Sequence, residues 1–179
     1  MVNVILIGLG IVVLGFATFV ATRPGTFHYE RSGLINASPE KIYPYLIKFK
    51  SGNEWSPYEK IDPGMKKTYS GPETGVGSIM EFDGNRNVGS GRLEIMNVVP
   101  NQLVEIKLTM LRPFKADNIV QYRLNPKDHG TQFTWAMSGD NNFLSKLVGI
   151  FIDCDKMVGD QFSQGIRNIK ILVESKNNP

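Results

Sequence analysis

From Gly77 to Gly139 the chain runs through short segments in which apolar and polar residues alternate, and a chain patterned this way must build a sheet with one dry and one wet face. The segments are Gly77 to Asp83, Gly91 to Val98, Leu103 to Leu111, Ala116 to Leu124 and Thr131 to Gly139, with turn residues between them. Alternation gathers Met80 and Phe82, Leu93 and Ile95, Val104, Ile106, Leu108 and Met110, Val120, Tyr122 and Leu124, and Phe133, Trp135 and Met137 onto one set of faces. The opposite positions are mostly polar, as at Glu105, Lys107, Gln121, Arg123 and Thr134. The short connections predict an antiparallel meander. Its dry face needs a cover, and Cys154, Val158, Phe162, Ile166, Ile169 and Val173 recur at helical spacing. The pattern therefore predicts an α+β domain in which a long C-terminal helix lies across a curved sheet.

Upstream, Thr26 to Asn36 reads as a strand. Ser38-Pro39-Glu40 then opens a helix, with serine as N-cap, proline at the first helical position and an acid at the positive end of the dipole. Ile42, Tyr43, Leu46, Ile47 and Phe49 form its apolar face, and Pro44 is expected to kink or shorten it. The stretch from Ser51 to Gly64 is rich in turn residues and holds Trp55-Ser56-Pro57. Phe143 to Phe151 predicts a short helix before the long one, with Asp153 as a cap between them.

From Val4 to Thr22 no side chain is charged, and Arg23 and Pro24 end the run. A membrane span takes about 20 mostly apolar residues, so a single-pass anchor through residues 4–22 is the first expectation. A cleaved signal peptide wants a basic segment before the apolar core and small residues before the cut; no Lys or Arg precedes the core, and Phe19-Val20-Ala21 lacks the outer small residue. A buried core helix is the third reading. The expected division is a transmembrane anchor at 1–24 and one domain at 25–179, on a side of the membrane that the flanking charges leave open.

Lys and Arg number 20 against 17 Asp and Glu, and the basic residues are scattered, which argues against nucleic acid as a partner. A protein partner is left unassigned. A lone Cys154 allows no intrachain disulfide. His28 and His129 are the only histidines, both read as surface residues, so no metal site and no cofactor are expected. There is no nucleophile elbow, phosphate loop or zinc-binding helix motif. Asp153 and Asp155 flank Cys154 but do not face each other on a helix, and no histidine stands near the thiol in sequence to activate it. Catalytic residues are left unassigned.

Ile35-Asn36-Ala37-Ser38-Pro39-Glu40-Lys41-Ile42-Tyr43 followed by Trp55-Ser56-Pro57 resembles the opening strand, helix and Trp-x-Pro turn of the polyketide cyclase/dehydrase-like branch of the SRPBCC (START-like) superfamily. Gly75-Val76-Gly77-Ser78, Gly91-Arg92-Leu93-Glu94-Ile95 with Pro100, Pro113-Phe114, Gly130-Thr131 with Thr134-Trp135, and Met157-Val158-Gly159-Asp160-Gln161-Phe162 with Gly165-Ile166 are similar to the family pattern in the same order. The resemblance implies a helix-grip fold of the START and birch-pollen-allergen kind, in which the sheet wraps the C-terminal helix around an apolar cavity. It also implies a hydrophobic or lipid-like small molecule as partner. A cyclase- or dehydrase-type enzyme and a protein-interaction module are the alternatives. The cavity candidates are Trp55, Ser78, Met80, Phe82, Asn118, Tyr122, Trp135, Met157 and Phe162. Asn118 and Ser78 are the polar members, and a buried amide without a partner costs roughly 1–3 kcal/mol, so Asn118 needs a backbone group, a water, a ligand or the solvated end of its strand.

Overall fold

Seven strands form one antiparallel sheet in the computed structural model, which describes residues 2–175. The strands are β1 (Thr26–Ile35), β2 (Lys66–Ser70), β3 (Ile79–Asp83), β4 (Ser90–Val99), β5 (Leu103–Arg112), β6 (Ala116–Lys127) and β7 (Gly130–Asp140), in the order β1-β7-β6-β5-β4-β3-β2. From β2 to β7 each strand lies beside the next in sequence. The first strand then closes the row against the last.

Register fixes the inner face. Tyr122 lies opposite Trp135, Val120 opposite Met137, Leu108 opposite Asn118, Leu93 opposite Leu108, and Met80 opposite Leu93. These are the positions that alternation places on the dry side, because successive side chains leave opposite faces of a strand. Among them Val104, Ile106, Val120, Leu124, Phe133 and Trp135 are buried, together with Ile35 and Ile95.

The helices are α1 (Val2–Ala21), α2 (Pro39–Leu46), α3 (Gly52–Trp55), α4 (Tyr58–Ile61), α5 (Phe143–Phe151) and α6 (Cys154–Ser175), with a 3-10 turn at Phe49–Ser51. α2 stops at Leu46 with Pro44 inside it, so the helix is shortened as proline chemistry requires. Ser38 stands at its N-cap position in an extended conformation, but its side chain makes no capping hydrogen bond. Asp153 does cap α6, its Oδ1 accepting from the Lys156 N–H at 2.9 Å.

α6 buries Gly159, Phe162, Gly165, Ile166, Ile169 and Val173. Its contact with the sheet is close at two positions that lack a Cβ on one side. A Cβ on Gly33 would stand 2.6 Å from Ile166 Cγ2, and one on Gly165 would stand 2.4 Å from Trp135 Cζ3. The helix therefore rests over β1 and β7. α3 joins it from the other side, where the Asn168 amide donates to the Trp55 carbonyl at 2.8 Å.

Strand β2 and helices α3 and α4 lie outside the sequence expectation. β2 is Lys-Lys-Thr-Tyr-Ser at the sheet edge, too polar to signal a buried face, and charge is a common protection for an exposed edge. α3 and α4 are four residues each, shorter than a hydrophobic period can reveal.

The N-terminal expectation needs correction. α1 is helical and most of its apolar side chains are exposed, while Val20 is fully buried and Lys146 of α5 donates to the Ala21 carbonyl. No helix among the described residues is long and apolar enough to cross a membrane. Met1 lies outside the described residues, as do residues 176–179. The single-pass anchor and the membrane localisation read from residues 4–22 are accordingly withdrawn.

Candidate ligand-binding face

Trp135 is the centre of the inner face. Phe162 of α6 stacks on its indole at 4.5 Å between ring centroids and an interplanar angle of 13°. Tyr122, its cross-strand neighbour, meets it edge-on at 5.2 Å, Trp55 at 5.4 Å and Tyr58 at 6.5 Å. Edge-on aromatic pairs contribute about 0.5–1.5 kcal/mol each beyond the area they bury, so five rings from sheet and helices lock one another. Trp55 Nε1 donates to the Tyr45 carbonyl at 3.3 Å. Trp135 Nε1 is buried with no partner. Burial pushes the Tyr58 phenol up to about 12 and raises that of Tyr122 as well, desolvation of the phenolate being the main cause in both.

Asn118 lies farther along the same face. It is only 7% exposed, and its Oδ1 is buried with no hydrogen-bond donor. The opposing residue is Gly139, where an added Cβ would stand 2.2 Å from that oxygen; glycine there makes room for the amide. A recess of about 510 Å³ reaches Asn118 from the end of the sheet, past Phe27, His28, Lys107 and Asp140. The solvated-end reading of Asn118 does not hold for its oxygen.

Ser78 is buried and committed to the chain, its Oγ donating to the Pro72 carbonyl at 2.8 Å and fixing the turn between β2 and β3. It borders a second recess, of about 320 Å³, with Phe49, Lys50 and Tyr69. Met80 and Phe82 are half-buried on the inner face of β3. Met157 stands apart from the other candidates. It is 56% exposed, because five residues before Phe162 it is turned about 140° away from the stripe that α6 buries.

The first turn of α6 is tied down by Arg31. Its guanidinium donates to both carboxylate oxygens of Asp155, at 3.1 and 3.0 Å, and to the Asp155 carbonyl at 3.1 Å. The side chain passes over Gly159, where a Cβ would stand 2.2 Å from the guanidinium carbon. This hydrogen bonding holds the Asp155 carboxyl below the ordinary carboxylate range. Burial, with the nearby Asp153 charge second, raises the Cys154 thiol, so it stays protonated and unreactive near neutrality. Among the described residues no cluster of three His, Cys, Asp or Glu side chains could hold a metal ion.

Because α6 covers β1 and β7, the inner surfaces of β3, β4 and β5 keep partial exposure at Met80, Leu93 and Leu108. Together with Tyr122 and Met137 they form an apolar surface facing the helix, with Asn118 Oδ1 and Trp135 Nε1 as its unsatisfied polar atoms. Sequence reasoning missed Tyr58 and the Arg31–Asp155 pair. Tyr58 directly follows Trp55-Ser56-Pro57, so that turn carries a signal for it. Arg31 occupies an inward position by alternation, and an inward cation implies a buried or bridging acid.

A curved antiparallel sheet gripping a long C-terminal helix defines the helix-grip fold. No protein-family model matches the chain, and no curated protein does. Solved structures of the same fold do. The di-domain ARO/CYC StfQ from the steffimycin biosynthetic pathway aligns with a TM-score of 0.64 at 10% identity, over 87% of this chain and 53% of that one. Ara h 8.0201 aligns at 0.59 and 14% identity, over 84% and 99%. The Aha1 dimer from Colwellia psychrerythraea aligns at 0.59 and 18% identity, over 83% and 96%. At such identities the likeness is one of fold.

Proposed function

We propose that residues 25–179 form a binding domain for a hydrophobic or lipid-like small molecule, held between the sheet and α6. The observation that carries this reading is the inner surface of β3 to β5, apolar yet only half-covered, with a buried amide oxygen at Asn118 left without a partner. A solid core would bury Leu93, Leu108 and Met137 and pair that oxygen. Pockets for small molecules combine such apolar walls with a few polar groups. StfQ, an aromatase/cyclase by its description, shares the fold and supports a ligand of this general character. Trp55, Met80, Phe82, Asn118, Tyr122, Trp135 and Phe162 are the residues of the proposed binding surface, while Ser78 shapes its β2–β3 rim and Met157 has no place in it.

The test is binding of a neutral fluorescent probe, N-phenyl-1-naphthylamine, to wild type and to Leu108→Trp. Overfilling the inner surface should weaken the probe at least tenfold while far-UV circular dichroism stays unchanged. Undiminished binding in that variant, or no binding to wild type together with no small molecule released on native mass spectrometry, defeats the reading.

A further inference from the structure

Helix α1 carries more bare apolar surface than a folded chain keeps to itself. Eleven of its large apolar side chains, from Val2 to Phe19, are 45–69% exposed. They leave on the order of 1,000 Å² uncovered, against about 800 Å² per partner in a standard stable interface and about 300–600 Å² for the largest patch on an ordinary monomer. The C-terminal end of α1 meets the domain, where Val20 is buried, Ala17 is half-buried and Lys146 of α5 donates to the Ala21 carbonyl at 3.1 Å. No side chain from Val4 to Thr22 is charged, and the hydroxyls of Thr18 and Thr22 donate to the carbonyls of Leu14 and Phe19 within the helix. A cover for α1 must therefore be apolar and uncharged over about 30 Å, the length of a 20-residue helix.

One face of this helix is complementary to itself. Ile5, Gly8, Val12, Gly15, Phe19 and Thr22 repeat at steps of three and four, the spacing of a heptad seam, and they alternate large with small. At 3.6 residues per turn the seam lies on the side away from Ala17 and Val20. A Cβ on Gly8 or Gly15 would meet nothing within 4 Å, so both notches are open. Phe19 is still 51% exposed with the Arg23 guanidinium 5.1 Å from its ring centroid. We infer that α1 is the docking surface for a second copy of this chain, the two helices running antiparallel about a two-fold axis between residues 13 and 14. In that register Val12 enters the notch at the partner's Gly15, Phe19 enters the one at the partner's Gly8, and Ile5 packs on the partner's Thr22. Glycine notches let the axes approach to about 8 Å, the close end of helix packing. The macrodipoles favour the antiparallel sense, since each N-terminus then lies beside the partner's C-terminus. A parallel pair would set Val12 on Val12 and Gly15 on Gly15, crowding one layer and leaving a void in the next. Two-fold pairing is closed, so assembly stops at two copies.

Sedimentation equilibrium of the full chain in aqueous buffer should show a monomer–dimer equilibrium. Gly15→Leu fills a notch and should weaken the dimer about tenfold or more. It meets nothing in its own chain, and leucine is the better helix former, so the monomer keeps its fold. Gly10→Leu is the control, since a Cβ there also meets nothing within 4 Å but points off the seam. That variant should change the dimer constant by about twofold or less. Orientation is read by crosslinking in a Cys154→Ser background. Ile5→Cys mixed with Thr22→Cys should form a disulfide-linked dimer on oxidation, and Ile5→Cys alone should not. A monomer at every concentration, assemblies larger than a dimer, equal effects of the two leucine variants, or Ile5→Cys crosslinking to itself would overturn the inference. Flotation of the chain as a monomer with phosphatidylcholine vesicles would overturn it as well, by giving α1 a lipid cover in place of a second copy.

Discussion

Asn118 separates stability from function at a single atom. Its Oδ1 is buried beside Gly139 without a donor, a state that destabilises the fold unless something else is gained. Leucine has nearly the same size and no polar atom. Asn118→Leu should therefore raise stability by about 1 kcal/mol, or Tm by about 2–4 °C for a chain of this length. A Tm that falls in thermal denaturation would mean the oxygen has a partner in the free protein. Asp155 makes a second prediction at this scale. Hydrogen bonding from Arg31 lowers its folded pKa below the ordinary value of 3.8. A depressed carboxylate stabilises fully above that ordinary value and loses its contribution as pH falls through the lower folded value. The Tm difference between wild type and Asp155→Asn should thus be constant near neutrality and shrink below about pH 3.8; a difference that persists into acid would disprove the pairing. Asn118 was legible in the sequence as an inward polar residue, because alternation alone sets its face. Arg31 occupies an inward position by the same rule, but its partner lies on a helix 124 residues away, and no local pattern links them.

Between α6 and the sheet, glycine decides how close the elements come. Gly165→Ala would place a methyl 2.4 Å from Trp135 Cζ3 and 3.3 Å from Pro57 Cδ, pushing α6 off both the sheet and the α3–α4 segment. Overpacking of this kind costs about 1–3 kcal/mol. Gly149 on α5 is the counter-example: nothing lies within 4 Å of its added Cβ and the residue is exposed. Gly149→Ala should gain up to about 1 kcal/mol from helix propensity. Urea denaturation of both variants checks the pair, and a neutral Gly165→Ala would show that α6 does not seat as tightly as its contacts indicate. The same elements show why the sequence was readable in part. Strands with a dry side and a helix with a long stripe announce themselves by period. β2, α3 and α4 do not, since an edge strand with polar residues on both faces and four-residue helices hold no periodic signal. Hence Trp55 was found by its motif, while Tyr58, one short helix further on, was not.

For the whole molecule, the decisive feature is that α6 reaches only one side of its sheet, so a ligand would act as the missing layer of the core. Material bound between α6 and β3 to β5 would touch both and stabilise the folded state alone. At a free concentration 100 times its Kd, such a ligand adds about 2.7 kcal/mol. At about 2–4 °C per kcal/mol for a chain this long, Tm should rise by about 5–11 °C. The rise should come with slowed amide exchange in β4, β5 and the first turns of α6, where opening must precede exit of anything held inside. Protection confined instead to the recess around His28, Lys107 and Asp117 would place the ligand at the end of the sheet. In that case the half-covered inner face would be a loosely packed core, and the binding site would belong to the strand ends. The two outcomes differ in which strand residues slow, so a single exchange experiment with and without N-phenyl-1-naphthylamine decides between them.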